Sequence, residues 1–383
     1  MNILVIPSWY SNDGNPTNGS FFREQALELS KAGHTVIVAY VEETLKNLSD
    51  EEKKVKCSND EGLITYRLFS RKLPKSGNIG TSFAVRKGLL NVFEIINQEY
   101  KIDVIHLHSC IWAGLGATAI SKKYNIPLVI TEHSSYYKRC KQYFWERLIN
   151  NYVLNSADSL ICVSSALKNT ISKYRDYDDI EVIPNMIDCE SFNYKINCNL
   201  KKFTFLSVCY LNSNKRIDLL IKAFANQFSG LDCELIVGGD GPEKERLISL
   251  ASELKIENQV KFLGHLDREE VMKTMRDCHV FVLPSKVETF GIVLIEALSC
   301  GKPVISCKNG GSEDIINGKN GIIIDKDDFI SLGKAMLTIK ENYEKYNSEA
   351  ISEECKEKYS KDLIIKRIEE VYFKVVNSKT PKN

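Results

Sequence analysis

Strand-like apolar runs alternate with amphipathic stretches of helical length along almost the whole chain. This alternation is typical of parallel α/β domains, because a parallel strand reaches its neighbour only through a crossover connection. The chain contains two such series, separated at residues 188–202 by a stretch without clear periodicity. We therefore predict two doubly wound, Rossmann-like halves that face each other across a cleft, with ligands at the carboxyl ends of both sheets.

The predicted first domain covers residues 1–190 and the second covers residues 200–358. Residues 359–383 are predicted to form a helix that crosses the domain junction, followed by a polar tail. Strands of the first series are predicted at residues 3–6, 35–39, 102–107, 128–131, 159–163 and 182–183. Those of the second series are predicted at residues 203–208, 234–237, 260–263, 279–283, 304–306 and 321–324.

The composition argues against several classes of protein. A formal net charge of +1 over 383 residues is not the strong basic excess of a nucleic-acid-binding protein. Twelve cysteines are scattered without a C-x-x-C pair, which indicates reduced thiols in a cytosolic protein. The sequence shows neither a signal-peptide pattern nor the ~20 apolar residues of a membrane span, so a cytoplasmic location is expected.

Two carboxylates, Glu288 and Glu296, occur where an apolar strand gives way to an apolar helix. An ionised group within Val-Leu-Ile-Glu-Ala-Leu is costly unless a partner hydrogen-bonds it, and a pair of ligand hydroxyls would be such a partner. A helix that begins near Phe290 also offers its first backbone N–H groups to a phosphate. These amides belong to Gly291, Ile292 and Val293. Alternatively, acidic residues near a helix start only complement the helix dipole.

Residues 280–305 resemble the E-x7-E motif of the retaining glycosyltransferases of family 4, which have the GT-B fold. The resemblance implies that Glu288 lies by the sugar of a nucleotide-sugar donor and that Glu296 binds the donor ribose. Phe290 and the helix amides would belong to the same donor site. The order of the motifs extends the resemblance over nearly the whole chain, from residue 3 to residue 324, in the form seen in bacterial polysaccharide-assembly enzymes.

A turn-rich loop joins the first predicted strand to the first helix and ends at Gly19. A residue without Cβ at this point lets a phosphate approach the backbone, although Asn-Gly turns before helices are also common for structural reasons. In the family that the chain resembles, a glycine of this loop faces the donor diphosphate. The resemblance therefore implies that Gly19 contributes to the donor site.

Three histidines fall at the ends of two predicted strands. His106 and His108 share a face, since they are two residues apart on a strand. A zinc site is an alternative, but no third ligand has a suitable spacing. His133 matches the Thr-x-His of the family, which implies contact with the donor sugar or the acceptor, whereas a hydrogen-bonded structural histidine is the simpler alternative.

The segment 207–224 resembles the strand, basic loop and helix that hold the donor diphosphate between an Arg and a Lys in the family. Lys215 matches the Lys, but Tyr210 occupies the Arg position and Arg216 replaces the usual glycine. Arg216 is therefore a candidate to take over the missing charge. Both cations could instead be solvated, although cations at a helix start oppose its dipole.

Gly238, Gly239 and Gly241 follow a strand and precede a helix, but their spacing and the lack of a downstream acidic residue argue against an NAD site. The same residues resemble the G-D-G-P turn of the glycosyltransferase family. Residues 260–266 resemble its base-binding loop, which implies that His265 lies near the nucleotide base.

Residues 62–93 contain no acidic residue, but they include six cations interleaved with apolar side chains. The cations are Arg67, Arg71, Lys72, Lys75, Arg86 and Lys87. Such a segment could bind an anionic bilayer at up to ~1 kcal/mol per cation, which predicts a peripheral contact with the inner face of the plasma membrane. A solvated face beside a buried one is the alternative.

The resemblance implies that a sugar moves from a nucleotide diphosphate, with a UDP-sugar as the expected donor, to an acceptor hydroxyl with retention at the anomeric carbon. No cofactor and no metal are expected. The catalytic residues would be Glu288, His133, Lys215 and Arg216. The expected acceptor is a glycan, most readily one linked to polyprenyl diphosphate, used in cell-surface polysaccharide biosynthesis. The alternatives are an inverting GT-B enzyme or epimerase with a histidine base, and a non-catalytic sugar-nucleotide-binding protein.

Overall fold

The computed structural model describes residues 1–11, 18–134, 137, 144–195 and 201–379. Its contacts divide the chain into two compact units. The first comprises Met1–Val163, Leu167–Pro184 and Ile364–Asn383, and the second comprises Ser164–Ala166 and Asn185–Leu363. Among the helices of the described ranges, none combines the length and the apolar character that a membrane span requires.

The described part of the first unit contains an eight-stranded sheet. Its strands are β1 (Asn2–Pro7), β2 (Thr35–Thr44), β3 (Lys56–Asp60), β4 (Leu63–Arg71), β5 (Val104–His108), β6 (Leu128–Glu132), β7 (Ser159–Cys162) and β8 (Ile180–Val182). They lie in the order β3-β4-β2-β1-β5-β6-β7-β8, and the pairings are parallel except for the β3-β4 hairpin. β5 and β6 are buried along their whole length, as expected for central parallel strands that helices cover on both faces.

The helices that connect these strands follow the predicted alternation. They are α1 (Ser20–Lys31), α2 (Gly77–Glu99), α3 (Gly114–Tyr124), α4 (Phe144–Asn155) and α5 (Ser165–Ile171). α1 begins directly after Gly19, where the turn-rich loop was predicted to lead into the first helix, and it is followed by Gly33, whose φ of 91° is a left-handed conformation that favours glycine.

The prediction of the first series was incomplete, because it omitted β3 and β4 and treated residues 62–93 only as a basic and apolar segment. These strands lie at one side of the sheet, and β3 is largely exposed. In β4 the charged Arg67 interrupts the apolar alternation, and its guanidinium pairs with Asp60 at 2.7 Å. A strand that carries charges at a sheet edge lacks the continuous apolar run by which the central strands were found.

The second unit contains a six-stranded parallel sheet in its described part. Its strands are β9 (Phe203–Val208), β10 (Cys233–Gly238), β11 (Val260–Gly264), β12 (Val280–Leu283), β13 (Val304–Cys307) and β14 (Gly321–Ile324), in the order β11-β10-β9-β12-β13-β14. All six were predicted to within one residue at each end. Its helices are α6 (Ile217–Phe228), α7 (Lys244–Glu253), α8 (Arg268–Arg276), α9 (Ile292–Ser299), α10 (Phe329–Glu341) and α11 (Ser348–Tyr359).

The last helix, α12 (Lys361–Lys379), contributes to the first unit from Ile364 onward. Its Ile364, Ile368 and Tyr372 are almost fully buried. Glu369 of the same helix lies 2.8 Å from His34, which precedes β2. The helix therefore packs against the first sheet through an apolar face and one polar contact.

Candidate active site

The loop after β9, which carries Lys215, rests on the glycine turn that follows β10. Leu211 N–H donates to the Asp240 carbonyl at 2.8 Å, and Gly239 N–H donates to the Gly264 carbonyl at 2.6 Å. A Cβ on Gly239 would lie 1.9 Å from the Cys209 carbonyl oxygen, and one on Gly241 would lie 2.4 Å from that of Leu211. These glycines are therefore required for the close approach of two backbone segments, and the G-D-G-P turn supports the basic loop.

Lys215 and Glu288 form an ion pair at the carboxyl ends of the neighbouring strands β9 and β12. Lys215 Nζ lies 2.7 Å from Glu288 Oε1, and the two side chains are only 20% and 14% exposed. Backbone contacts join the two loops, since Lys286 N–H donates to the Asn214 carbonyl at 2.8 Å and Asn214 Nδ2 donates to the Val287 carbonyl at 3.0 Å. The structure thus brings together two residues that lie 73 positions apart in the sequence.

Helix α9 begins directly after this pair. Gly291 is its N-cap in a left-handed conformation with φ 99°, and the helix starts at Ile292, slightly later than predicted. The first turn presents the amides of Gly291, Ile292 and Val293 as candidates for anion binding. Phe290 is 2% exposed, and a Cβ on Gly311 would lie 2.4 Å from its carbonyl oxygen. The Phe290 side chain therefore belongs to the core.

Glu296 is buried within α9 and has a charged protein partner that the sequence did not predict. The residue is 3% exposed, and its Oε1 lies 2.7 Å from Nη1 of Arg268, the first residue of α8. The Arg268 guanidinium also lies 4.7 Å from the centre of the Phe192 ring. The cost of burying the carboxylate is thus offset by an arginine, and not by ligand hydroxyls alone as the sequence suggested.

Arg216, the residue before α6, has φ 53° and is bound by two carboxylates. Its Nε lies 3.2 Å from Asp218 Oδ1, and its Nη1 also contacts Asp327. Tyr210, at the position of the family arginine, is 63% exposed. The replacement of the missing arginine by Arg216 stays a prediction, and it requires the guanidinium to exchange a carboxylate for a phosphate.

His265 follows β11 and is exposed. The Gly241 amide and Lys244 hold the pKa of the Asp240 carboxyl below its ordinary value, and the nearby His265 makes a smaller contribution. This position is beside the glycine turn, two strands away from β9. A role for His265 at the nucleotide base therefore stays a prediction.

The carboxyl edge of the first sheet carries a buried group of histidines. His106 Nε2 contacts Thr131 Oγ1 at 2.8 Å and His106 Nδ1 contacts the Tyr372 hydroxyl of α12 at 2.6 Å. His108 Nδ1 lies 3.1 Å from His133 Nε2, and the His106 and His108 rings are 4.1 Å apart, which confirms that they share a face. Burial lowers the pKa of His106 to about 3, and burial and the neighbouring imidazoles lower that of His108.

Glu132 positions the backbone around His133, and sequence analysis missed it. This fully buried carboxylate accepts N–H groups from Cys110 at 3.0 Å, from His133 at 3.0 Å and from Ser134 at 2.8 Å. The only available sequence signal was an acidic residue at the end of an apolar strand.

Within the described ranges, no group of three or more His, Cys, Asp or Glu residues has the arrangement of a metal site.

Gly19 is the N-cap of α1, with φ 70°. A Cβ at this position would lie 2.8 Å from the Trp9 carbonyl oxygen, so the local packing already favours glycine. Phe22, in the first turn of α1, has its ring 4.8 Å from that of His108 and 5.0 Å from that of His133. Gly19 therefore lies close to the histidine group, while residues 12–17 of its loop are outside the described residues.

Comparisons with known proteins agree with this architecture. A family model described as glycosyl transferases group 1 matches residues 190–356, and one described as glycosyltransferase family 4 matches residues 19–191. N-acetyl-alpha-D-glucosaminyl L-malate synthase of Bacillus anthracis is 26% identical over 300 residues, which cover 73% of this chain and 77% of that protein. Alpha-monoglucosyldiacylglycerol synthase of Acholeplasma laidlawii is 24% identical, with coverages of 74% and 78%.

Among solved structures, HepE of Anabaena in complex with UDP superposes with a TM-score of 0.76 at 20% identity, covering 97% of this chain and 99% of that one. The two family models together span residues 19–356. The chain therefore belongs to the GT-B glycosyltransferases of the family 4 type, and it is a nucleotide-sugar-dependent glycosyltransferase. The family and the fold predicted from the sequence are confirmed.

Proposed function

We propose that this glycosyltransferase transfers a sugar from a nucleotide diphosphate to an acceptor hydroxyl with retention at the anomeric carbon. The Lys215–Glu288 pair carries the proposal, since it joins a cation and a carboxylate at 2.7 Å beside the first turn of α9. Binding of the diphosphate by Lys215 and the α9 amides would stabilise the charge that grows as the bond to the sugar breaks. Glu288, released from the lysine, would then position the donor sugar.

The proposed bond changes balance between the donor and the acceptor. The bond between the anomeric carbon and the donor phosphate oxygen breaks, and the acceptor oxygen forms a new bond on the same face of the sugar. The hydroxyl proton passes to the departing diphosphate. Arg216 would assist this step by exchanging Asp327, whose side chain is 48% exposed, for the diphosphate. Gly19 and His133 stay candidates for contact with the substrates.

UDP is the proposed nucleotide, supported by the complex of the structural neighbour HepE with UDP. Glu296 would accept hydrogen bonds from the ribose hydroxyls, and His265 would lie near the base. The test is hydrolysis of UDP-, GDP- and ADP-sugars by the enzyme alone, followed by NMR assignment of the released anomer before it equilibrates. If the enzyme neither binds nor hydrolyses a sugar nucleotide of any of the three classes, the proposal is contradicted.

Glu288→Gln tests the role of the carboxylate at the same time. Turnover should fall more than the affinity for UDP, because the proposed contact is to the transferred sugar, which UDP does not carry. Glu313→Gln, on the loop after β13, is the control. Wild-type transfer by Glu288→Gln would show that Glu288 is structural.

An inverting mechanism is the second candidate, favoured by the histidine group. Burial and the neighbouring His106 and His133 lower the pKa of His108, so its imidazole is neutral and would hold a proton only in transit. The hydrogen bond between His108 and His133 could pass that proton onward. Inversion of the anomeric configuration in the first-formed product would decide for this mechanism.

We propose a lipid-linked acceptor, a polyprenyl-diphosphate-linked glycan used in cell-surface polysaccharide assembly, at the cytoplasmic face of the membrane. The named product of one relative, monoglucosyldiacylglycerol synthase of Acholeplasma laidlawii, is a glycolipid, which supports an acceptor of this kind. Within residues 62–93 the support is narrower than the sequence indicated. Arg67 and Lys72 pair with Asp60 and Glu43, so the exposed cations are Arg71, Lys75, Arg86 and Lys87.

The apolar side chains of that segment also divide. Leu68, Leu89 and Phe93 are buried, whereas Leu73 and Phe83 are 76% and 57% exposed. Helix α4, joined to α2 by a 3.0 Å hydrogen bond from Asn78 to Glu146, adds exposed apolar side chains. These are Phe144, Trp145, Leu148 and Tyr152.

Sedimentation with anionic vesicles tests the membrane proposal. Neutralising the four exposed cations should reduce binding by up to ~1 kcal/mol per cation, and added salt should weaken the wild-type binding. Neutralising Lys46, Lys56, Lys101 and Lys173, also exposed in the first unit, is the matched control. Equal sedimentation of the variant and the wild type would leave a soluble acceptor as the better assignment.

A further inference from the structure

The pairing of Arg268 with Glu296 has no explanation in the local structure of α8. A cation at a helix N-terminus opposes the dipole, and α8 already has a capping box in which Asp267 accepts from Glu270 N–H and the Glu270 side chain accepts from Asp267 N–H. Arg268 therefore does not serve its own helix. Its guanidinium instead reaches α9, where Nη1 lies 2.7 Å from Glu296 Oε1.

Burial alone would disfavour the ionised form of the carboxyl group that Arg268 contacts. Glu296 is 3% exposed, and its neighbours in α9 are apolar. A buried carboxylate must be compensated by charge or by hydrogen bonds to remain ionised. The Arg268 side chain is 51% exposed and lies over the Phe192 ring, so one end of this pair is inside the protein and the other is open to solvent.

We propose that Arg268 is a positioning residue of the donor site, which keeps Glu296 oriented to accept the ribose hydroxyls. This inference rests on the proposed function, in which Glu296 binds the ribose. An uncompensated Glu296 would be a poor acceptor, whereas a carboxylate fixed by an arginine keeps lone pairs in a constant direction. Recognition of the ribose then depends on a residue 28 positions away that need not touch the nucleotide.

The experiment compares UDP with 2′-deoxy-UDP by calorimetry on the full-length protein. The wild type should prefer UDP by about tenfold or more, the range for a hydrogen bond to a charged group. Arg268→Ala should lower the affinity for UDP by about 10- to 100-fold and should bring the two nucleotides to nearly equal affinity. Arg268→Lys should restore part of the preference, because a lysine keeps the charge without the fork geometry.

Two further variants make the result decisive. Arg246→Ala should leave both affinities unchanged. It removes an arginine of α7 that pairs with Glu243. In Glu296→Gln the ribose preference should be lost, and adding Arg268→Ala should then have little further effect. Thermal unfolding of each variant reports whether the second unit remains folded.

Three outcomes with Arg268→Ala would overturn the inference alone. Arg268→Ala with wild-type affinities would show that Glu296 needs no arginine. An equal loss for both nucleotides would make Arg268 a structural link or a direct phosphate contact, and tighter binding of UDP would make it a competitor of the ribose. If Glu296→Gln itself leaves UDP binding unchanged, the ribose assignment fails as well, whereas the other outcomes leave the proposed function intact.

Discussion

At the carboxyl edge of the second sheet, charged side chains pair across loops, whereas at the same edge of the first sheet three imidazoles are buried together. Lys215 and Glu288 keep partial exposure, so a ligand could exchange with either partner. His106 and His108 are fully enclosed, and burial lowers the pKa of both. The second edge is suited to a diphosphate whose charge grows during the reaction, whereas His106 and His108 at the first edge stay neutral.

The buried carboxylates of the two units show the same contrast. Glu132 in the first unit is satisfied by backbone amides, which the fold fixes. Glu296 in the second unit is held by the side chain of Arg268, which is half exposed. An amide-bound carboxylate organises its own loop, whereas one held by an arginine can share its lone pairs with a ligand.

The largest effect is expected at Lys215, where the contrast between the two edges can be broken most directly. Lys215→Ala should reduce turnover by about 2 to 4 kcal/mol of transition-state stabilisation, because it removes a preorganised cation from the leaving diphosphate. Donor hydrolysis and transfer should fall together in steady-state assays. Lys222→Ala, exposed on α6, is the matched control.

His133→Gln tests the first edge in the same assays. It should lower transfer and leave UDP affinity unchanged, because UDP is assigned to the second unit. A loss of UDP affinity in His133→Gln would contradict the assignment of UDP to the second unit.

Arg216 is expected to follow, with an effect of up to about 2 to 4 kcal/mol if it takes over the charge that Tyr210 lacks. The charge is shared with Asp218 and Asp327, so Asp327→Asn should free the guanidinium and tighten UDP binding, measured by calorimetry. Activity of Arg216→Ala within about twofold of the wild type would identify Arg216 as a loop-fixing residue.

The second sheet could be predicted almost residue by residue because its strands are continuous apolar runs between helices. β3 and β4 could not, because Lys56, Asp60 and Arg67 interrupt the apolar pattern at the sheet edge. In the site, Glu288 and Glu296 were evident as carboxylates in an apolar context. Their partners were not, since a contact such as that of Tyr372 with His106, 266 positions away, depends on tertiary packing.

The buried imidazoles of the first unit predict a pH dependence of its stability. The pKa of His106 is about 3 in the folded protein and ordinarily 6.5, so the unfolded chain binds a proton below pH 6.5 that the folded protein refuses. The stability present above pH 6.5 is therefore lost as the pH falls from 6.5 toward 3. The expected slope for one such histidine is about 1.4 kcal/mol per pH unit.

Tryptophan fluorescence during urea unfolding measures this dependence, because Trp9, Trp112 and Trp145 are the three tryptophans of the chain and all belong to the first unit. His106→Gln should flatten the slope between pH 6 and pH 4, while His108 retains its own contribution. An unchanged slope in His106→Gln would show that the imidazole is protonated in the folded protein.

The smallest effect is expected at the cap that places Arg268 at the start of α8. Asp267→Ala removes the capping box and should cost about 1 kcal/mol of stability, the usual value for an N-cap. Asp328→Ala is a matched control, since Asp328 caps α10 by accepting the Ser331 N–H. Both variants should lower the unfolding free energy similarly, but only Asp267→Ala should weaken UDP binding, by about twofold, because fraying of α8 loosens the arginine that orients Glu296. Equal UDP affinity in the two variants would mean that the Arg268–Glu296 pair forms independently of the cap. The cap of α8 would then have no part in the difference between the amide-held Glu132 and the arginine-held Glu296.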